Sequence, residues 1–199
     1  SPSRLPTAGV RDLPQKIVLP PREGVVPSTK PPVRIYLGTE AGQYRAERIF
    51  IWSVDKVRDP SRTYEIHLMK DVRGYDRRWW LTGFTNYRFA IPTLAGGRGR
   101  AIYNDVDQIY LRDPAELFDL PLDGHGFLSI RPTDTSVMLI DCERMAPVWT
   151  LHESQHAWKR ALLRKASKAS PLPYMPKPIH IKTAAERGLG VDDLDKIVF

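Results

Sequence analysis

One cysteine, Cys142, stands among 199 residues, so no disulfide can form within the chain. That excludes a small disulfide-stapled scaffold and fits a reducing compartment, with the cytoplasm as the expectation. Following an apolar run, Cys142 reads as a buried, inert thiol and not as a nucleophile. No hydrophobic run approaches the roughly 20 residues needed to cross a bilayer, and no charged-then-apolar leader opens the sequence. A soluble protein is expected, whose contact with a membrane would be peripheral and directed at anionic headgroups. Internal repeats are lacking, which excludes solenoids and propellers. Negative charge is in short supply: 30 Lys and Arg face 23 Asp and Glu, a formal net charge of +7. Such a balance points to anionic partners: phosphorylated substrates, an acidic lipid surface or nucleic acid. The densest basic group, Lys159 to Lys165, reads as the solvated face of a helix.

What is present supports a packed core: 42% hydrophobic residues and five Trp. Residues 1–32 hold eight prolines and little apolar periodicity, which predicts an extended arm. Residues 33–170 form the expected α/β domain, and residues 171–199 a Pro-rich tail. Val33–Leu37 and Tyr64–Leu68 alternate as strands, with a helix between them from about Tyr44 to Lys56. A further helix is expected through Tyr87–Ile91, ending at Pro92, and Gly96–Gly99 reads as a loop. Short strands are expected at Ala101–Tyr103, Gly126–Ile130 and Val137–Ile140. The longest helix candidate runs from Trp149 to about Ser167. Strands alternating with helices indicate a mixed central sheet flanked by helices.

The informative stretch is Arg100-Ala-Ile-Tyr-Asn-Asp-Val-Asp-Gln-Ile-Tyr110. On an extended segment, residues two apart share a side. Asp105 and Asp107 are therefore expected to converge on one point while Val106 faces into packing. Two carboxylates that close raise each other's pKa unless a cation sits between them. Their oxygens suit a hard divalent ion such as Mn2+ or Mg2+, particularly where phosphates supply further ligands. Context distinguishes this pair from Asp193-Leu-Asp195 in the polar tail. It ends an apolar strand, and Asp113-Pro-Ala-Glu-Leu-Phe118 follows with the pattern of a helix start. Carboxylates at a strand's C-terminal end stand where open α/β sheets place ligands.

In this order and spacing, the chain resembles family 8 nucleotide-sugar glycosyltransferases, the group that includes glycogenin and bacterial lipopolysaccharide galactosyltransferases. The resemblance covers about residues 33–150. Val33 to Glu40 resembles the family's first strand and uridine-binding loop, and Tyr87-Arg88-Phe-Ala-Ile-Pro the helix whose arginine approaches the donor nucleotide. Ala101 to Asp107 resembles the strand carrying the metal-binding Asp-x-Asp, and Asp134 to Asp141 the segment lining the donor sugar. The resemblance implies a nucleotide-diphospho-sugar transferase (GT-A type) fold. It implies a retaining transferase that takes a sugar from a UDP-sugar to an acceptor, using Mn2+ or Mg2+. In that frame Thr39, Glu40, Tyr44, Arg88, Asp105 and Val106 bind the donor nucleotide. Arg88 and Asp134 take catalytic positions, and Asp105, Asp107 and His180 are metal ligands. No nucleic acid partner is expected. The sequence departs from the family where Asp134 and Ser136 replace Asn and Gly, and where Pro176-Lys-Pro-Ile-His180 lacks the family's usual acceptor-side order.

Two other readings of the residues stay open. A haloacid-dehalogenase-like phosphatase would use Asp105 as nucleophile and Asp107 as acid. A non-catalytic binder of anionic partners would account for the charge alone. His152-Glu-Ser-Gln-His156 matches the zinc-peptidase motif, but no histidine follows before His180, and the expectation is that this helix holds no zinc. His67 is expected to pack in its strand and His125 to face water.

Overall fold

The computed structural model describes residues 14–70, 87–131 and 134–150, with two short strands at 170–171 and 179–180. Of the expected Trp149–Ser167 helix only Trp149 and Thr150 are described, and neither is helical; its His-Glu-Ser-Gln-His motif and basic face lie outside the described residues, as does Asp193-Leu-Asp195. The strands are β1 (Gln15–Leu19), β2 (Val33–Gly38), β3 (Tyr64–Met69), β4 (Arg100–Asp105), β5 (Gln108–Ile109), β6 (Phe127–Arg131), β7 (Asp134–Asp141), β8 (Ser170–Pro171) and β9 (Ile179–His180). Seven of them form one sheet in the order β1-β3-β2-β4-β7-β6-β8, and β5 pairs with β9 separately. β2 runs parallel to β3 and β4, whereas β7 runs antiparallel to β4. The sheet is therefore mixed, as expected.

Both faces of the sheet are covered, and β2 is buried on both sides from Ile35 to Gly38. One face carries Val33, Ile35, Leu37, Ile66 and Ile102 and packs against Phe50, Ile51 and Val54 of helix α1 (Tyr44–Val57). The other carries Tyr36, Tyr103 and Met138 and packs against Phe89, Ile91 and Trp149. Cys142 belongs to this second cluster, where burial pushes its thiol up to about 12.

Three regions depart from the expectations: the arm, the tail and the segment around Pro92. The expected extended arm contains a strand, Gln15–Leu19, that pairs with β3 as an antiparallel edge strand. Ile17 and Leu19 pack on the core while Val18 stays exposed. Pro14 and Pro20 bracket this strand, and a residue without an N–H suits the end of an edge strand. β8, which straddles the expected start of the tail, and β9 within it are two-residue strands too short to leave a periodic signal. Pro92 does not end a helix. A 3-10 turn at Tyr87–Ala90 leads into α2 (Ile91–Leu94), with Pro92 in the first turn, where a missing N–H costs nothing.

Asp113 starts α3 (Ala115–Phe118) as expected, its Oδ1 accepting the Ala115 N–H at 2.9 Å. The same oxygen accepts the Tyr64 hydroxyl at 2.6 Å, tying α3 to β3. Glu116 pairs with Arg112 at 2.7 Å and closes no capping box. The remaining short helix, α4 (Cys142–Met145), follows β7, with Asp141 accepting the Arg144 N–H. At the N-terminal ends of the parallel strands, Arg34 donates from Nε to the Arg100 carbonyl at 3.1 Å and from Nη1 to the Ala95 carbonyl at 3.3 Å. These bonds clasp the loop after α2 onto β2. Gly99, at φ 65°, sits so close that a Cβ would lie 3.1 Å from Nη2 of Arg34.

Arg62 is only 2% exposed and forks onto Asp119 with contacts of 2.6 and 2.9 Å, while its Nε donates to the Pro31 carbonyl. The partners differ in burial, since the Asp119 side chain is 40% exposed. Removing the aspartate strands a buried cation, whereas removing the arginine leaves a carboxylate that water reaches. Asp119→Ala is therefore expected to cost about 3 kcal/mol and Arg62→Met less, near 1 kcal/mol, in denaturant unfolding.

His67 lies flat on Tyr36, ring centroids 4.3 Å apart. Burial lowers its pKa to about 4, outweighing the nearby Glu65 carboxylate, which pulls the other way. A histidine depressed below its unfolded value binds its proton preferentially in the unfolded chain. Its contribution to stability is present above about pH 6.5 and is lost as pH falls towards 4. Unfolding free energy should fall across that window in the wild type, and His67→Gln should flatten the slope.

Candidate functional site

β2 and β4 are parallel neighbours in register, Leu37 beside Asn104 and Gly38 beside Asp105, so their C-terminal ends finish together. Asp105 is the last residue of β4, and Val106–Asp107 form a turn. The expectation of two carboxylates on one extended strand is thus corrected, because the chain turns immediately after the first. The charges of both nonetheless reach the buried Tyr103 hydroxyl. Tyr103 donates its hydroxyl to Asp105 Oδ1 at 2.6 Å. Burial raises the phenol's pKa well above its usual value, and the charges of Asp105 and Asp107 both add to the rise.

The turn is fixed from beneath. The buried Asn104 amide donates to Gln108 Oε1 at 3.0 Å and its oxygen accepts the Tyr110 hydroxyl at 2.7 Å. The Tyr110 N–H in turn bonds Ser53 Oγ of α1. Val106 faces the core, as expected, and its N–H bonds the Gly38 carbonyl at 3.1 Å. At the site, its role is to stitch the turn to the end of β2.

Arg88 comes from the 3-10 turn and is 6% exposed. Its guanidinium lies 4.6 Å from the Tyr103 ring centroid, with Nη2 3.7 Å from Asp105 Oδ1. Nη1 donates to the carbonyl and hydroxyl oxygens of Thr135 at 2.7 and 2.6 Å. Pairing of Asn104 with Val137 brings the start of β7 to the end of β4. Asp134 opens β7, its Oδ1 accepting from the N–H and hydroxyl of Ser136 at 3.2 and 2.7 Å. Arg88, Asp105, Asp107 and the first residues of β7 therefore share one edge of the sheet.

Beyond β2, buried Thr39 donates its hydroxyl to Glu47 Oε1 at 2.7 Å. Lys70 holds both oxygens of Glu47 at 2.9 Å and places its ammonium 5.4 Å from the Tyr44 ring centroid. Glu40 is exposed, its N–H donating to Gln43 Oε1 at 3.1 Å. Tyr44 is 69% exposed beside a cavity of about 360 Å³ that Glu47, Arg48, Ile51, Leu68 and Lys70 also line. An open aromatic ring at this edge has the geometry for stacking on a flat ligand.

His180 sits on β9, paired with Gln108, one residue past Asp107. The backbone thus brings the expected third ligand to the acidic turn. Among the described residues, no group of three or more His, Cys, Asp or Glu gathers to hold a metal. The carboxylate oxygens of Asp105 and Asp107 fit a hard divalent cation, and a histidine fits Mn2+ better than Mg2+. His125 lies in the turn before β6, its Nδ1 3.0 Å from the Leu122 carbonyl.

Sequence reasoning missed Gly38, Glu47, Lys70, Tyr103 and Thr135. Tyr103 carried a signal, since strand alternation puts it on the side of Asp105. Gly38 ends a strand and reads as a stop, whereas a Cβ there would overlap the Tyr103 hydroxyl. Glu47 and Lys70 meet across 23 positions, and no local pattern announces them.

No family model and no curated protein matches this chain. Solved structures do match. The bifunctional glycosyltransferase WbbM in its apo form aligns over 75% of this chain and 40% of its own, with TM-score 0.60 and 13% identity. The apo form of the glycosyltransferase GlyE of Streptococcus pneumoniae TIGR4 aligns over 82% of this chain and 51% of its own, with TM-score 0.53 and 16% identity. The chain therefore spans about half or less of the length of these neighbours. The sheet with helices on both faces is the nucleotide-diphospho-sugar transferase fold that the resemblance implies.

Proposed function

We propose that this chain binds the donor of a glycosyltransferase that moves a sugar from a nucleotide diphosphate, a uridine diphosphate sugar, to an acceptor hydroxyl. The observation that carries the reading is the buried Arg88 guanidinium set 3.7 Å from Asp105 where β2 and β4 end together. Arginine beside a carboxylate pair at a strand end suits a ligand with its own negative charge and a bridging cation. Asp105 and Asp107, with His180 as third ligand, would hold Mn2+ or Mg2+. The ion supplies charge neutralisation of the diphosphate as the sugar–phosphate bond breaks.

The chain's own residues do the rest. Tyr44 stacks on the base, and Thr39 and Glu40 meet the uracil or ribose edge. Arg88, fixed by Thr135, presents positive charge to the leaving diphosphate without reorganising. Asp134 faces the donor sugar from the start of β7. In the reaction the bond from the anomeric carbon to the diphosphate oxygen breaks and one from that carbon to the acceptor oxygen forms. The diphosphate leaves with the bonding pair, and its departing oxygen takes the proton that the acceptor hydroxyl gives up. Retention of configuration, a cytoplasmic location and peripheral contact with an anionic membrane belong to the same proposal. The phosphatase alternative is less favoured, because its nucleophile belongs on a first strand and Asp105 ends β4, with its Oδ1 accepting from Tyr103.

Hydrolysis of uridine diphosphate sugars in Mn2+ tests this reading without an acceptor. A contact that strengthens as the leaving group departs lowers turnover more than ground-state binding when removed. Arg88→Ala is expected to lose about 3 kcal/mol of transition-state stabilisation, and Arg88→Lys to recover part of it, keeping charge without the planar fork. Equal hydrolysis by wild type and a folded Arg88→Ala variant would show that Arg88 is a structural arginine only.

A further inference from the structure

Tyr103 is fully buried, yet its polar end and its ring face each meet a residue of the candidate site. The hydroxyl donates to Asp105 Oδ1 at 2.6 Å, and Arg88 lies over the ring 4.6 Å from the centroid. Arg88 also reaches the same carboxylate oxygen at 3.7 Å. Three groups thus form a closed triangle in which Tyr103 touches both charged members. The arrangement exists because residue 38, on the neighbouring parallel strand, has no side chain. A Cβ at Gly38 would overlap the Tyr103 hydroxyl and lie 2.9 Å from Cζ and 3.0 Å from Cε2. Gly38 is also the residue paired with Asp105. It has no positive φ, so backbone freedom does not explain it, and close approach does.

We propose that Tyr103 is the positioning residue of the acidic site: it orients the Asp105 carboxylate for a divalent cation and seats Arg88 beside it, with Gly38 as the vacancy that admits it. This rests on the metal-binding reading of Asp105. An aspartate side chain rotates about two bonds unless its neighbours fix it. A short hydrogen bond from a phenol that packing immobilises removes that freedom before the cation arrives, and outer partners of this kind support metal affinity by about 10- to 100-fold. The ring contributes separately. As a cation–π floor it joins the Thr135 bonds in holding the guanidinium at 3.7 Å, short of a close fork onto Asp105 that would compete with the metal.

The test separates hydroxyl from ring. Mn2+ alone is titrated into the full chain, with free Mn2+ read by electron paramagnetic resonance, for wild type, Tyr103→Phe and Asp105→Asn. Tyr103→Phe keeps the ring under Arg88, so it should stay folded and bind Mn2+ at least 10-fold more weakly, and Asp105→Asn should abolish binding. Equal affinity in wild type and Tyr103→Phe overturns the role of Tyr103 while leaving the metal site standing. Failure of the wild type to bind Mn2+ overturns both. A second readout needs no metal. Gly38→Ala should lower the melting temperature more in the wild type than in the Tyr103→Phe background, where the hydroxyl it displaces is gone. An equal drop in both backgrounds overturns the account of Gly38.

Discussion

A guanidinium that is 6% exposed must find its charge and hydrogen bonds within the protein, and the edge of this sheet is organised around that demand at Arg88. Desolvating such a group costs several kcal/mol unless geometry repays it. Thr135 supplies two oxygens, Asp105 a carboxylate and Tyr103 a ring face. They come from two neighbouring strands, Thr135 from the start of β7 and Tyr103 and Asp105 from the end of β4. Meeting one buried charge therefore fixes the relative placement of the residues that a diphosphate and its cation would meet. Stability and site geometry have the same cause here.

The opposite end of the sheet makes this placement possible. Arg34 clasps the loop after α2 and Arg62 joins the β2–β3 region to α3 through Asp119. Both arginines bond groups at the N-terminal ends of the parallel strands, away from the acidic turn. The element that delivers Arg88 is a short 3-10 turn followed by a four-residue helix, which has little stability of its own. Its position comes from Phe89 and Ile91 packing against Trp149 and the sheet, and from the Arg34 clasp on its exit loop. Long-range ties hold what local propensity cannot.

Much of the fold was legible because the residues obey one rule at a time. Val33–Leu37, Tyr64–Leu68 and the helix between them follow plain periodicities, and they appear within a residue or two of expectation. Legibility failed where tertiary context decided. Gln15–Leu19 lies among prolines, and only the open edge of β3 makes it a strand. Pro92 reads as a terminator, whereas its position in a helix's first turn makes it harmless. Asp105 and Asp107 were found through their spacing, but alternation misjudged their geometry, because the network of Asn104, Gln108 and Tyr110 bends the chain at Val106. Arg88 was singled out by resemblance alone, since a lone arginine in a short segment gives no sign that it is buried. The partnership of Thr39, Glu47 and Lys70 could not be read at all, as it joins three elements through side chains.

The central claim is that the turn after β4 and the end of β2 form one site for a uridine diphosphate bridged by a divalent cation. Calorimetric titration of uridine diphosphate into the chain, with and without Mn2+, tests it most directly. The account predicts binding that requires Mn2+, persists with uridine diphosphate sugars and disappears in Asp107→Asn, whose fold is unchanged. Binding of equal strength without metal, or undiminished in Asp107→Asn, would contradict it.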